Sequence, residues 1–219
     1  MADRLRAVLD RAQRVERAVS HYVPPKVLER LMADPDGVGL GGELRDVTVL
    51  FADVRGFMGL AEAMKDDPRR LTDLTNAILD PMTDIVLAHG GVIDKYMGDC
   101  LMAFWGAPDD DPAHARSACE AAAAMLRALP EVNRRVAATF GDLPPIELGI
   151  GVNSGACIVG NVGGRKRFDY SVLGDPVNVA SRLQELCKAY DAPLLLGEET
   201  AARLGADTPL RELDRIRVR

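Results

Sequence analysis

Two aspartates stand where the sequence predicts that strands end. Asp53 follows the β-branched and apolar run VTVLF at residues 47–51, which is too continuous for a half-exposed strand and predicts a buried central one. Asp99 belongs to Gly98-Asp99, a dipeptide that suits a tight turn between strands at residues 91–97 and 100–105. Each aspartate alone has a plainer interpretation, as a helix cap or a turn former. Together they offer the oxygen ligands that Mg²⁺ or Mn²⁺ takes when it also binds substrate phosphates.

A second pair of polar residues, Asn178 and Arg182, is spaced for one face of a helix. Asp175-Pro176 predicts the start of that helix, with Asp at the N-cap and Pro at the first helical position. Residues four apart lie about one turn apart, so both side chains can reach one small ligand. A lone helical arginine is usually a solvated surface charge, but beside an asparagine it could hold a ribose and a phosphoryl oxygen.

Two further stretches concern phosphate binding. Residues 160–166 superficially resemble a phosphate loop, but they lack the GxxxxGK[ST] spacing and precede no predicted helix, which excludes a Walker site. After Asp53, the tripeptide Arg55-Gly56-Phe57 predicts a turn into a helix. The free N–H groups at the start of that helix could hold an anion.

The elements that must position these residues alternate along the chain. Apolar residues recur every three or four positions from Leu71 to Ile85, which predicts an amphipathic helix kinked at Pro81 and ended by Gly90-Gly91. The later pattern predicts a helix at 113–129, a strand at 146–152, a hairpin at 156–172, a helix from 175 to about 189, a strand at 194–196 and a helix at 198–204. Interleaved strands, helices and hairpins predict an α+β sandwich with a mixed, mainly antiparallel sheet flanked by helices.

The first 42 residues differ from the rest and are predicted to form a helix and a linker, ahead of a compact domain at residues 43–219. Leu5, Val8, Ala12, Val15 and Val19 repeat at three- and four-residue intervals, as in a helix with one narrow apolar seam. That helix either lies on the domain surface or ends a coiled coil that joins two subunits or transmits a signal. Pro24-Pro25 interrupts it, and the Pro and Gly content up to Gly42 is typical of a linker.

Composition narrows the function classes. The formal charge of -6 in 219 residues argues against a nucleic-acid groove, which needs a basic face. Four cysteines without a CxxC pair favour free thiols in a reducing compartment. No apolar stretch approaches the roughly 18 residues of a membrane span, and the charged first 20 residues exclude a signal peptide. We therefore expect a cytoplasmic domain, which an upstream segment could tether.

Three long segments carry a resemblance to a known family. VTVLFADVRGF, DKYMGDCLMAFWGAP and FDYSVLGDPVNVASRL, in this order, resemble the three signature blocks of class III adenylyl and guanylyl cyclases, and the match covers roughly residues 44–219. YVPPKVLERL resembles the lead-in of bacterial members, where it follows a regulatory domain. The resemblance implies a ferredoxin-like, palm-type fold and is closest to the bacterial adenylyl cyclases related to bicarbonate-responsive enzymes, so a bicarbonate response is compatible with it.

By this resemblance, the functional positions of the family fall on residues of matching type. It implies metal-binding aspartates at Asp53 and Asp99, a metal-binding carbonyl at Val54, a purine-contacting lysine at Lys95, a ribose-orienting asparagine at Asn178 and a transition-state arginine at Arg182. It also implies two Mg²⁺ or Mn²⁺ ions per active site. The second purine-selecting position falls on Ser171, next to Val172, which we also expect to contact the substrate.

The purine-contacting pair favours adenine. Lys95 can donate to N1 of adenine and Ser171 can accept from its exocyclic amine, whereas guanine presents the reverse pattern. For a guanylyl cyclase the resemblance would imply Glu and Cys at these positions. Because a serine hydroxyl can also donate, we expect weaker discrimination than with a carboxylate, which keeps a guanylyl or relaxed purine cyclase as an alternative.

Three positions depart from the family pattern. Met58 replaces a phosphate-binding Thr or Ser, so the triphosphate is expected to rely on the backbone N–H groups of Phe57 and Met58. The late phosphate-binding lysine of the family aligns with Arg219, the last residue, and the sequence is expected to stop before the final strand. Among Arg165, Lys166 and Arg167, spacing does not decide which contacts phosphate, and we favour Arg167.

The combined expectation is an adenylate cyclase that converts ATP to 3′,5′-cyclic AMP and pyrophosphate. The resemblance implies a homodimer in which one subunit supplies the metal ligands and the other supplies Lys95, Ser171, Asn178 and Arg182. A catalytically silent module for nucleotide binding or dimerisation is the alternative outside enzymes. A diguanylate cyclase is excluded because no GG[DE][DE]F-like turn is present.

Overall fold

The structure, a computed structural model, describes residues 22–34, 41–141, 143–164, 166–205 and 208–216, together with positions 6, 11, 13–15 and 19. The helices and strands within these residues follow in the order α1 (Pro25–Ala33), β1 (Gly41–Val54), α2 (Phe57–Ala63), α3 (Pro68–Ala88), β2 (Val92–Met97), β3 (Cys100–Trp105), α4 (His114–Phe140), β4 (Leu148–Gly164), β5 (Arg167–Leu173), α5 (Asp175–Leu186), β6 (Leu194–Leu196) and α6 (Glu198–Arg203).

The six strands form one sheet in the order β2-β3-β1-β4-β5, with β6 beside β4. Each neighbouring pair in that order is antiparallel, whereas β6 runs parallel to β4. β1 lies at the centre, and its residues from Val47 to Ala52 are buried on both faces. The structure confirms the predicted α+β class with a mixed, mainly antiparallel sheet.

Helices cover both faces of this sheet. α3 and α4 pack over one face, where Leu50, Met82, Trp105 and Met125 belong to the largest core cluster. α5 packs over the other face, against β4 and β1, and its Ala180 is completely buried. The sheet therefore supports strand-end residues and α5 residues from one common core.

A chain of buried polar side chains crosses the interior near the start of α4. The Thr48 hydroxyl lies 2.7 Å from Nδ1 of His114 and 2.7 Å from the Ser154 hydroxyl, which in turn lies 2.9 Å from the hydroxyl of Thr200. All four residues are buried. Because buried polar groups need partners, these hydrogen bonds tie β1, β4, α4 and α6 together.

Two helices differ from the sequence prediction at their ends. α4 continues through Pro130 to Phe140 instead of ending at residue 129. Val132 and Val136 on the added turns are buried in the main core, so packing outweighs the hydrogen bond that a proline removes. α5 has Gly174 at its N-cap, which makes Asp175 the first helical residue rather than the predicted cap.

The predicted hairpin at residues 156–172 belongs to a longer pair of strands. β4 runs without interruption from Leu148 to Gly164, so the predicted strand at 146–152 and the first arm of the hairpin are one element. β5 returns antiparallel to it from Arg167. The long strand arises because β4 pairs with β1 along the whole length of β1.

A helix, α1, occupies part of the segment that was predicted to be a linker. It starts at Pro25, a residue suited to the first turn of a helix. Lys26 donates to the carbonyl of Gly90 at 3.0 Å, and Arg30 donates to the Pro108 carbonyl and pairs with Asp109 at 3.3 Å. These contacts attach α1 to the loops at the far ends of β2 and β3.

Only part of the apolar seam that the sequence predicts near its start lies within the described residues. Leu5, Val8 and Ala12 lie outside the described residues, and the choice between a surface helix and a coiled coil stays a prediction. In the part of the chain that the structure describes, no helix has both the length and the apolar character needed to cross a membrane.

Candidate active site

The structure brings Asp53 and Asp99 together at one end of the central strands. β1 and β3 are antiparallel with Ala52 opposite Leu101, so the next residue of β1 lies beside the turn that precedes β3. Asp99 occupies that turn with Gly98, whose φ of +67° suits glycine. The predicted meeting of two carboxylates at strand ends is therefore present.

Burial and mutual repulsion shape the electrostatics of this pair. Burial first, and then the charge of Asp99, raise the pKa of Asp53 to about 6. Burial also raises the pKa of Asp99, against which hydrogen bonds from its own backbone N–H and that of Val54 act. Two carboxylates that are costly to ionise side by side gain stability from a cation placed between them.

The thiol of Cys100 lies close enough to Asp53 and Asp99 to feel the charge of both carboxylates. Burial, followed by the charges of Asp53 and Asp99, raises the pKa of Cys100 to about 12. Its protonated thiol can donate to Asp53, which lowers the pKa of that carboxyl slightly. Cys100 therefore acts as a weak donor in the shell around the carboxylates rather than as a thiolate ligand.

The donor set fits a hard divalent cation that keeps open positions. Among the described residues, no group of three or more His, Cys, Asp or Glu side chains could hold a metal ion by itself. Mg²⁺ is commonly held by one or two carboxylates and completes its shell with water and substrate phosphates. Asp53 and Asp99, with the adjacent backbone of Val54, meet that requirement.

The segment after Val54 turns at once into α2. Gly56 has a φ of +73° and forms the N-cap, and Phe57 and Met58 are the first two helical residues. N–H groups at this position have no partner within a helix. The Phe57 side chain packs against the main core, whereas Met58 is 85% exposed. The predicted turn into a helix is confirmed, and phosphate binding by these N–H groups stays a prediction.

Lys95 and Ser171 lie on strands at opposite edges of the sheet, yet one side chain joins them. The Ser171 hydroxyl donates to Oδ2 of Asp94 at 2.6 Å, and Lys95 Nζ lies 3.0 Å from Oδ1 of the same carboxylate. The backbone N–H of Val172 also points to Oδ2, at 3.4 Å. The structure thus brings the three predicted purine-side residues to one place.

Sequence reasoning missed Asp94. Its only signal was a carboxylate in a strand directly after the apolar pair Val92-Ile93, where an apolar residue would be expected to continue the strand. Its partners on β5 are 77 and 78 residues away in the chain. The local sequence pattern cannot reveal such a contact, because the contact depends on how close β2 and β5 come in the folded sheet.

Asn178 and Arg182 lie one turn apart on α5, as predicted. Asn178 is exposed and Arg182 is half-buried. Within the described part of the chain, neither side chain makes a hydrogen bond or an ion pair, so both are free to bind a ligand. The spacing prediction for this pair is confirmed, and their roles stay predictions.

The basic residues near the β4–β5 turn are placed only in part. Arg167 is the first residue of β5 and Lys166 lies in the turn, and both are exposed. Arg165 and Arg219 lie outside the described residues. Phosphate binding by Arg167 therefore stays a prediction.

The model of the family described as "Adenylate and Guanylate cyclase catalytic domain" matches residues 42–219. "Adenylate cyclase 1" of Rhizobium meliloti (strain 1021) is 30% identical over 199 residues, covering 91% of this chain and 29% of that protein. "Adenylate cyclase" of Anabaena cylindrica is 37% identical over 162 residues, covering 73% and 31%. The chain thus spans less than a third of the length of these curated relatives.

Solved structures share both the fold and part of the sequence. The adenylyl cyclase CyaB from P. aeruginosa superimposes with a TM-score of 0.68 at 37% identity, covering 75% of this chain and 82% of that one. The guanylyl cyclase Cya2 gives a TM-score of 0.71 at 32% identity, covering 79% and 85%. The chain is therefore similar to solved structures of both an adenylyl cyclase and a guanylyl cyclase.

Proposed function

Because the chain belongs to the family of adenylate and guanylate cyclase catalytic domains, we propose that it converts ATP to 3′,5′-cyclic AMP and pyrophosphate. The single observation that carries the proposal is that Asp53 and Asp99 meet at adjacent strand ends, where β1 pairs with β3. Such a pair suits phosphoryl chemistry, in which most catalysis consists of positioning and of neutralising charge.

Asp53, Asp99 and the carbonyl of Val54 would hold Mg²⁺ or Mn²⁺, with two ions per site as the family resemblance implies. When bound, the metal would polarise the α-phosphate and lower the pKa of the ribose 3′-hydroxyl. The contribution of the chain is a pair of partly buried carboxylates at neighbouring strand ends. With a pKa of about 6, Asp53 is mostly ionised at neutral pH and available as a ligand.

The other polar residues orient ATP. Asn178 aligns the ribose, so that its 3′-hydroxyl is in line with the α-phosphorus. Arg182 neutralises charge that develops at the α-phosphoryl oxygens, a contribution on the order of 3–4 kcal/mol. Phosphates are further held by the first N–H groups of α2, at Phe57 and Met58, and by Arg167.

The choice of ATP rests on Lys95 and Ser171. An ammonium group matches the N1 acceptor of adenine, and a serine oxygen matches its exocyclic amine. A GTP-using or relaxed enzyme is the second candidate, since a serine hydroxyl can donate as well as accept and a guanylyl cyclase is among the similar structures.

We further propose that each site is shared between two copies of the chain. One subunit would supply the carboxylates, and its partner would supply Lys95, Ser171, Asn178 and Arg182. We place the reaction in the cytoplasm, which supplies ATP and matches the free state of the four cysteines. An upstream regulatory domain and a bicarbonate response stay predictions.

The direct test is to incubate the purified protein with ATP and Mn²⁺, then with ATP and Mg²⁺, and to quantify cyclic AMP and pyrophosphate. GTP is tested in parallel, and Asp53→Ala is the control. We expect cyclic AMP that is absent with the variant. Tight metal-dependent ATP binding without product, at concentrations that ensure dimer formation, would instead indicate a silent nucleotide-binding module.

A further inference from the structure

Asp94 lies between the two residues that would contact the purine, and we propose that it is the positioning residue that sets the preference for adenine. It does so by holding the hydroxyl proton of Ser171, so that the serine oxygen faces a purine only as an acceptor. This inference rests on the proposed function, because it concerns the base that the site takes.

The contacts of Asp94 define its role. Its side chain is completely buried, whereas that of Lys95 is 45% exposed. Oδ2 accepts from the Ser171 hydroxyl at 2.6 Å and faces the Val172 N–H at 3.4 Å. Among the described residues Oδ1 receives no hydrogen bond of good geometry, so its 3.0 Å contact with the Lys95 ammonium is an ion pair. All three of these partners are donors.

The hydroxyl proton of Ser171 is therefore used in the hydrogen bond to Asp94. A hydroxyl has one proton and two lone pairs, and an ionised carboxylate can only accept. With its proton directed at Asp94, Ser171 offers lone pairs to any other partner. The exocyclic amine of adenine donates, whereas O6 of guanine accepts, so guanine would face an acceptor without a proton between them.

The position of Asp94 adds a second, structural possibility that the test must separate. β2 and β5 are the two edges of the main strand order, and Asp94 connects them. A purely structural link would affect ATP and GTP equally when lost. A positioning role changes the ratio between the two nucleotides.

Asp94→Asn separates the two roles because it preserves size. The ammonium of Lys95 attracts the amide oxygen, which turns the NH₂ group toward the Ser171 oxygen. Ser171 then accepts from Asn and can donate to O6 of guanine. We expect the ratio of kcat/KM for ATP to that for GTP to fall roughly tenfold, the size of one reversed hydrogen bond. The ratio of dissociation constants in the presence of Mn²⁺ should change in the same direction.

Two further variants make the result decisive. Asp73→Asn removes an exposed carboxylate on α3 and controls for the change in charge. In a Ser171→Ala background, Asp94→Asn should not lower the ATP-to-GTP ratio further. A ratio that Asp94→Asn leaves unchanged, or lowers equally without Ser171, overturns the inference. If Asp94→Asn fails to fold by circular dichroism, an unchanged ratio in Ser171→Ala alone overturns it as well.

The same measurements distinguish this inference from the proposed function. If the unmodified protein forms no cyclic nucleotide, the proposed activity fails, and the ratio of ATP to GTP dissociation constants still decides the role of Asp94. If product forms and the ratio does not depend on Asp94, this inference alone fails. If neither nucleotide binds, both fail.

Discussion

Gly151 of β4 lies directly beneath Ala180 of α5. A Cβ atom at position 151 would come within 2.2 Å of the Ala180 carbonyl oxygen and 2.3 Å of the Gln184 backbone nitrogen. These obstacles are helix backbone, which cannot rotate away as a side chain can. The height of α5 above the sheet, and with it the position of Asn178 and Arg182, thus depends on the absence of one methyl group.

Gly151→Ala should therefore both destabilise the domain and displace α5. Overpacking of a tight core typically costs about 1–3 kcal/mol, and we expect at least that loss in urea unfolding, with a marked decrease in kcat. Gly59→Ala is the matched control, because a Cβ at position 59 meets nothing within 4 Å and lies within α2. An equal free energy of unfolding for Gly151→Ala and the unmodified protein would contradict this packing argument.

Asp53→Asn should stabilise the metal-free protein and lower its activity. Folding raises the pKa of Asp53 to about 6, so the folded state binds the proton more tightly than the unfolded state. The ionised form therefore destabilises the metal-free protein as pH rises through this range. We expect Asp53→Asn to have a higher Tm than the unmodified protein at about pH 7.5. The difference should shrink as the pH falls through the folded-state pKa of about 6 and vanish below the ordinary pKa of 3.8, where the carboxyl is protonated in both the folded and the unfolded state.

The same variant should lose cyclase activity by on the order of 100-fold or more. Mn²⁺ should raise the Tm of the unmodified protein and leave that of Asp53→Asn nearly unchanged. Thermal melts with and without Mn²⁺ at both pH values check the two effects together. A Tm difference that is independent of pH would show that the carboxylate charge is not its cause.

A shared site predicts complementation between inactive subunits. Asp53→Ala lacks a proposed metal ligand and Arg182→Ala lacks the proposed transition-state arginine, so a mixed dimer would contain one complete site and one doubly defective site. Random mixing in equal amounts should restore about a quarter of the activity of the unmodified protein. Mixing Asp53→Ala with Asp99→Ala is the control and should restore none, because each subunit then lacks a metal ligand. Failure of the first mixture, despite demonstrated subunit exchange, would exclude shared sites.

Thr48→Val should be destabilising far beyond its change in shape. The substitution removes the hydroxyl that lies 2.7 Å from both His114 and Ser154 and leaves two buried polar groups without that partner. Ser154 keeps the hydroxyl of Thr200 as a partner, whereas Nδ1 of His114 loses its partner, and one buried unsatisfied group costs about 1–3 kcal/mol, which urea unfolding can resolve. Thr72→Val is the comparison, since its exposed hydroxyl donates to the Pro68 carbonyl one turn earlier in the same helix. Similar losses for the two variants would contradict a role for burial.

Much of the architecture was predictable because residues close together in the sequence determine it. The apolar run before Asp53 and the Gly98-Asp99 turn are short-range signals, and together they place both carboxylates. The i, i+4 spacing of Asn178 and Arg182 is equally local. What the sequence could not reveal depends on distant contacts: α4 crosses Pro130 because later turns are buried, and α1 forms where Pro and Gly content indicated a linker.

Asp94 is the clearest example of that limit within the site. Family resemblance predicts that Lys95 and Ser171 contact the purine, but the carboxylate between them becomes visible only when β2 and β5 approach each other. The ambiguity of Ser171, as donor or acceptor, could not be resolved from residue type. The structure adds the position of one neighbouring oxygen, Oδ2 of Asp94, which accepts the hydroxyl proton of Ser171.

The central place of β1 has a consequence for how the protein fails on heating. β1 pairs with β4 at every position from Gly41 to Val54 and with β3 from Thr48 to Ala52, and Asp53 belongs to this strand. Strands held on both sides open only with the whole domain, whereas edges and termini open locally. Inactivation and global melting should therefore occur at the same temperature, and the backbone amides of β1 should be among the last to exchange with deuterium.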